Sequence, residues 1–299
     1  MQEYIISEDI KKRIDIYLSE ITDMSRSKIS KLLKENIILV NDQNVKGSYI
    51  LKKDDKINIL EYEEDLGDVE PENIPLDIVY EDEDVMVVNK PNGMVVHPAT
   101  SNNHGTLVNA LLYHSKNLST INGEFRPGIV HRIDAYTTGL LMVAKNDNAH
   151  QFLAKQLEEK TTYRKYVALV WGIINTDTGT IDAPIGRDKI DRKKMAVTDI
   201  NSKDAVTHFK VLKRFSNTTL IELKLETGRT HQIRVHMNYI GYPIVNDPVY
   251  GRRKIIDNTG QCLHAKELGF KHPRTLEYME FDSELPDCFL NILNQFKDS

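Results

Sequence analysis

The chain is short of cysteine, of long apolar runs and of net positive charge. Its two cysteines, Cys262 and Cys288, make no metal-binding pair and set up no disulfide framework, so a reducing cytosol suits it best. No run approaches membrane-spanning length, and Met1 to Glu20 is polar and charged, without the apolar core of a signal peptide. A cytoplasmic protein with no membrane association is expected. No Gly-rich loop ending in Lys-Ser/Thr suggests a nucleoside triphosphate, and no nucleophile elbow suggests a hydrolase. His231 and His236 lack the Glu of a zinc helix, so they are expected at a strand edge, and no metal is expected.

A formal net charge of -5 argues at first against nucleic acid, whose phosphates call for a basic surface. The distribution matters more than the sum. From Lys11 to Lys56 there are eleven Lys/Arg against seven Asp/Glu, whereas Glu61 to Asp84 holds twelve acidic residues and no basic one. The acid is concentrated in one stretch, which leaves basic faces elsewhere.

With 299 residues, 40% hydrophobic and 28% charged, the chain is an ordinary globular protein of about two domains, able to bury roughly three quarters of its unfolded surface. Residues 1–60 read as a compact unit. Apolar residues from Ile10 to Ile21 recur at helical spacing, and Ser25-Arg26-Ser27-Lys28 opens a second helix with Ile29, Leu32 and Leu33 on one face. Ile37 to Val40 and Ile57 to Leu60 read as strands around turns. Residues 61–73, acidic and carrying Gly67 and Pro71, read as a linker.

Residues 74–299 form the second domain. Strands are expected at Ile78 to Tyr80, Val85 to Val88, Ile129-Val130, Leu140 to Ala144, Tyr163 to Gly172, Thr180 to Asp182, Val206 to Val211 and Thr219 to Leu225. Helices are expected at Thr106 to Tyr113, His150 to Glu159 and Pro286 to Phe296. Strands and helices do not alternate as βαβ units, so an α+β fold with a mixed, largely antiparallel sheet fits better than an open parallel one.

Three segments carry the chemistry. Gly128-Ile129-Val130-His131-Arg132-Ile133-Asp134-Ala135-Tyr136-Thr137-Thr138-Gly139 packs charged and hydrogen-bonding groups into a short connection between apolar runs, where sites are commonly built. Taken alone, Asp134, the two Thr and Gly139 are equally turn residues. Upstream lies Asn89-Lys90-Pro91-Asn92-Gly93-Met94-Val95-Val96-His97, and downstream Thr227-Gly228-Arg229-Thr230-His231-Gln232-Ile233-Arg234. In this combination and order they resemble the RluA/RluD family of RNA pseudouridine synthases, most closely the RluD-type enzymes that act on large-subunit ribosomal RNA. Within residues 1–60, Arg13-x-Asp15-x-x-Leu18, Ser25-Arg26-Ser27 and Val40-Asn41 resemble the alpha-L RNA-binding domain first known from a ribosomal protein.

The resemblance implies a mixed sheet with a central cleft, and isomerisation of uridine with no cofactor. It assigns the essential carboxylate to Asp134, acting either covalently or by way of a glycal. Arg229 would orient that carboxylate and lower its pKa, and Tyr166 would pack on the flipped uracil. Arg132 would fill the gap left in the RNA stack, while His131 would contact the backbone or brace the turn. Arg26, Lys28 and Lys31 would face phosphates, though such charges are as readily an ordinary solvated helix face. Ala135 and Tyr136 stand where RluD-type sequences commonly have Lys and Asp, so local RNA contacts are expected to differ. The expected partner is ribosomal RNA, bound by a monomer. The alternatives are a pseudouridine synthase acting on transfer RNA, or a non-catalytic RNA-binding or ribosome-assembly protein on the same fold.

Overall fold

A computed structural model describes residues 2–22, 24, 26–60, 69–98, 103–121, 126–191, 194–251 and 255–297, the side chains of Gln2, Ser27 and Lys28 excepted. Ser25 and most of the expected linker, residues 61–68, lie outside the described residues. The chain divides into two compact units, Met1–Asp65 and Leu66–Ser299.

In the first unit β1 (Gln2–Ile5), α1 (Ile14–Ile21), α2 (Arg26–Lys34), β2 (Ile38–Val40) and β3 (Lys56–Ile59) follow in order. β3 lies between β1 and β2, antiparallel to both. Ile14 and Leu18, one turn apart on α1, and Ile29, Leu32 and Leu33 on α2 present apolar stripes that close on Ile38, Val40, Ile57 and Ile59 of the sheet. Between the helices Asp15 is buried, at 3% exposed. Arg13 donates to it at 3.0 and 2.9 Å and Arg26 at 2.9 Å. Burial opposes ionisation of Asp15, but the two guanidinium groups outweigh it and hold the carboxyl below its ordinary range.

The second unit contains β4 (Asp77–Glu81), β5 (Val85–Lys90), α3 (Leu107–His114), β6 (Thr138–Ala144), α4 (Asp147–Glu158), β7 (Tyr163–Trp171), β8 (Thr178–Asp182), β9 (Ile185–Arg187), β10 (Met195–Val197), β11 (Val206–Arg214), β12 (Thr218–Leu225), α5 (Gln232–Tyr239), β13 (Leu263–Lys271), β14 (Tyr278–Asp282) and α6 (Asp287–Leu293). Among the described residues nine strands form one sheet in the order β4-β5-β6-β13-β7-β12-β11-β8, with β14 on β13. β6 and β13 run parallel and the other pairings in this sheet are antiparallel. The mixed α+β architecture expected from the sequence is the one observed.

Alternation along β5 and β6 explains how the sheet is covered on both faces. Val85, Val87, Leu140, Met142 and Ala144 meet Ala149 and Leu153 of α4 on one side. Met86, Val88, Leu141 and Val143 meet Leu107, Val108 and Leu111 of α3 on the other. A strand buried on both faces reads as an unbroken apolar run, which is why β6 was visible in the sequence. Gly139, read as a turn residue, is the second residue of that strand. Its φ of +105° and the close approach of the Ala265 carbonyl leave no room for a β-carbon, so glycine lets β6 and β13 run side by side.

Ile129-Val130 does not form a strand. Ile129 makes one isolated bridge to Val143, and the chain from there to β6 is an ordered loop. The segment read as a strand edge around His231 and His236 is also different: it is the entry to α5 and the helix itself.

Candidate active site

The loop from Val130 to Thr137, β7 and the segment from Gly228 to Arg234 enclose a cavity of about 410 Å³. Asp134 lies on its wall. The Thr137 amide donates to the Asp134 carbonyl at 3.0 Å, closing the turn, and Thr137 Oγ1 accepts from Gln261 Nε2 at 3.0 Å. Beneath the turn is Lys90, with 0% of its surface exposed. Its Nζ donates to the carbonyls of Pro91 at 2.9 Å, Met94 at 2.9 Å and Ala135 at 2.7 Å. Three donors on one ammonium thus tie the end of β5 to the residue after Asp134. Burial pushes Lys90 down to about 7, against the pull of the Asp134 charge.

Asp134 Oδ2 accepts from Arg234 Nη1 at 2.8 Å. Arg234 also grips Asp247 through Nε and Nη2, both at 2.8 Å. The geometry is a bidentate pair at one end and a single bond at the other, so the guanidinium plane is fixed before it reaches Asp134. Asp247 is itself held by the amides of Val249 at 2.8 Å and Tyr250 at 3.0 Å. Burial raises its pKa, yet the Arg234 bonds prevail and keep it below the usual carboxylate range. The Tyr250 ring lies 5.1 Å from the Arg234 guanidinium carbon, and its hydroxyl meets His231 Nδ1 at 2.8 Å. His231 Nε2 lies 3.7 Å from Asp134 Oδ1. Burial drives the His231 pKa down, so at neutral pH the ring is uncharged.

Such an arrangement can present one carboxylate, fixed in orientation, to a flat polar ligand in the cleft. Among the described residues the one group with metal-capable spacing is elsewhere, at Asp82, Asp84 and His272. There His272 at 2.7 Å and Arg274 at 2.6 Å already pair the two carboxylates.

The profile of the RNA pseudouridylate synthase family matches residues 84–239, from the start of β5 to the end of α5, and so takes in Lys90, Asp134, Tyr166 and Arg234. An uncharacterized RNA pseudouridine synthase of Bacillus subtilis is 54% identical over 291 residues, covering 97% of this chain and 96% of that protein. The chain belongs to the RNA pseudouridylate synthase family. A ribosomal large subunit pseudouridine synthase D of Pseudomonas aeruginosa is 44% identical over 283 residues, 90% of this chain and 87% of its own. The solved structure of human RNA pseudouridylate synthase domain containing 1 aligns with a TM-score of 0.61 at 28% identity, over 75% of this chain and 89% of that one. As an RNA pseudouridine synthase, the protein is an isomerase.

In this pseudouridine synthase Tyr166 lines the same cleft as Asp134 and is 7% exposed. Burial raises the pKa of its phenol, so the hydroxyl keeps its proton at neutral pH. Arg132 lines the cleft with an exposed side chain. His131 Nε2 accepts from the Met142 amide at 3.1 Å, which braces the loop against β6. Burial, with the Arg164 charge, pushes His131 down to about 3, and a neutral imidazole is what this acceptor role needs.

Arg229 needs correcting as the arginine beside Asp134. It lines the cleft, but its Nε donates to the Asp204 carbonyl at 2.9 Å, and its amide is held by Gln232 Oε1 at 2.9 Å. Residue 229 falls in the turn before α5, whereas residue 234 falls in the first turn of the helix and faces the carboxylate. His236, 0% exposed, contacts Thr207 Oγ1 and the Ala183 carbonyl, both at 2.9 Å, as a buried structural residue.

Arg234, Asp247, Tyr250 and Lys90 were missed as site residues. Arg234 and Lys90 stood inside the recognised segments, and a helical reading of Gln232 to Tyr239 would have turned Arg234 towards the loop. In the first unit Arg26 is tied to Asp15. Exposed Lys31 lies 3.7 Å from Glu35, and the Lys28 side chain is outside the described residues.

Proposed function

We propose that the protein converts uridines of large-subunit ribosomal RNA to pseudouridine, with Asp134 as the carboxylate at the reacting sugar. One observation carries the reading: a carboxylate on the wall of a cleft, held at 2.8 Å by an arginine that is itself clamped to a buried aspartate. The positioning is complete before substrate arrives, so the enzyme does not spend binding energy on it.

A target uridine must leave its stack, at a cost of about a few kcal/mol. Exposed Arg132 is the group that occupies the vacated space, since a planar guanidinium stacks on bases and bonds phosphate. The uracil then lies against Tyr166. The N1–C1′ bond breaks, the base turns, and C5 joins C1′ as the C5 proton leaves and N1 gains one. Arg234 orients Asp134 throughout, and Lys90 holds the turn beneath it. The first unit, two helices on a three-stranded sheet, supplies an alpha-L-type RNA contact through the exposed faces of Arg26 and Lys31, with Lys28 beside them in sequence.

Ribosomal RNA is favoured because relatives named ribosomal large subunit pseudouridine synthase D match over most of both chains, 44% identical in Zymomonas mobilis and Pseudomonas aeruginosa alike. The test is pseudouridine mapping on total RNA from cells lacking the gene, complemented with wild type or Asp134→Ala. Specific ribosomal RNA marks are expected to vanish and to return with wild type alone. Missing transfer RNA marks with intact ribosomal RNA would move the substrate, and persistence of every mark would overturn the reading.

A further inference from the structure

Arg164 differs from the other cations of the cleft. It lies on β7 two residues before Tyr166, so the two side chains leave the same face of the strand, and both line the cavity that contains Asp134. Its surface is 8% exposed, and its Nε is buried with no hydrogen-bond partner. No carboxylate among the described residues pairs with it. Gly228 makes its room: a β-carbon there would stand 2.9 Å from Arg164 Nη1. By contrast, Arg234 commits Nε, Nη1 and Nη2 to Asp134 and Asp247.

A buried guanidinium with no counter-charge is costly to keep. Its position on a cleft wall means that the acceptor arrives with the substrate. When the N1–C1′ bond breaks, its electron pair goes to the base, and the resulting uracil anion spreads its charge over N1, O2 and O4. That charge is absent before the step and gone once C5 has joined C1′, the C5 proton has left and N1 is reprotonated. A backbone phosphate, in contrast, is charged throughout, and the exposed Arg132 serves it at the surface. We propose that Arg164 donates to a carbonyl oxygen of the flipped uracil and stabilises the anion formed as the glycosidic bond opens. Donors aimed at charge that develops in the transition state act mainly on the rate of the step.

This inference rests on the pseudouridine synthase reading, and the test separates the two. Single-turnover consumption of the target nucleotide is measured for wild type, Arg164→Met and Arg164→Lys, on RNA carrying uridine or 5-fluorouridine at the target position. Fluorine at C5 withdraws electrons and makes the base a better leaving group, so it needs less help. Arg164→Met is expected to slow the uridine reaction by about 100-fold, with RNA affinity changed by less than about threefold, and the deficit is expected to shrink by at least about tenfold on 5-fluorouridine. Arg164→Lys, which keeps the charge without the planar fork, is expected to fall between, and it carries the same comparison if the Met variant does not fold. An equal deficit on both nucleotides, or a loss confined to affinity, would overturn the assignment. A wild type inactive on the uridine RNA would instead refute the pseudouridine synthase reading.

Discussion

Replacing Arg234 with Met separates two jobs that one guanidinium performs. The side chain is 5% exposed and Asp247 is 0% exposed. Arg234→Met removes three hydrogen bonds of 2.8 Å and leaves Asp247 as a buried charge facing no cation. Breaking a buried pair in this way costs about 3–5 kcal/mol. The two backbone amides on Asp247 remain, which places the expected loss at the lower end. Asp134, partly exposed, contributes little to that loss, but without Arg234 it is no longer aimed, and a misplacement of about 1 Å costs about 100-fold in rate. Adding Asp247→Asn removes the buried charge and keeps an oxygen for the two amides. The double variant is therefore expected to regain most of the stability in urea unfolding while its single-turnover rate stays about 100-fold down. If the double variant recovered both, or if Arg234→Met lost stability with its rate within about threefold of wild type, the reasoning would be refuted.

Lys90→Met keeps the length of the side chain but deprives three carbonyls of their donor, and a loss of about 3–5 kcal/mol in urea unfolding is expected; a loss below about 1 kcal/mol would mean that water replaces the ammonium. Gly139→Ala forces a β-carbon onto the Ala265 carbonyl at a positive φ, so a loss of about 2–4 kcal/mol and a lower melting midpoint are expected. His131, His97 and His264 are held down by burial to about 3, 4 and 4. Their folded pKa values lie below the unfolded value near 6.5, so their stabilising contribution is complete above about pH 6.5 and is lost as pH falls towards 4. The urea midpoint should therefore decline over that window; a flat profile would contradict the neutral, buried assignment.

Much of the sheet was legible because its strands are apolar runs bounded by turns. β5, β6, β7 and β12 each overlie one of the expected runs to within two residues at either end. α5 was not legible, for a physical reason: Gln232 to Met237 is buried on every side, so it shows no amphipathic stripe, and Ile233, Val235 and Met237 alternate as a strand would. The arginine of Asp134 was misplaced for another reason: Arg229 was assigned by its position after Thr227-Gly228 in the family resemblance, whereas it is residue 234, on α5, that reaches the carboxylate. β13 was hidden by Lys266 and Glu267, charged residues that pair across the sheet, Glu267 with Lys165 at 2.7 Å. Asp134 was singled out by the family resemblance of its segment together with the two flanking ones, since a polar turn between apolar runs is by itself common. Lys90 did not stand out within its segment, since no pattern in a sequence distinguishes a buried lysine with three carbonyl partners from an exposed one.

The central claim is that Asp134, aimed by Arg234, performs the chemistry. Its most direct test is single-turnover pseudouridine formation by purified wild type and Asp134→Asn on the target RNA, with melting midpoints measured alongside. Asparagine keeps the shape and removes the charge. The account predicts no product above background from a variant that melts within a few degrees of wild type. Wild-type conversion by Asp134→Asn would contradict it.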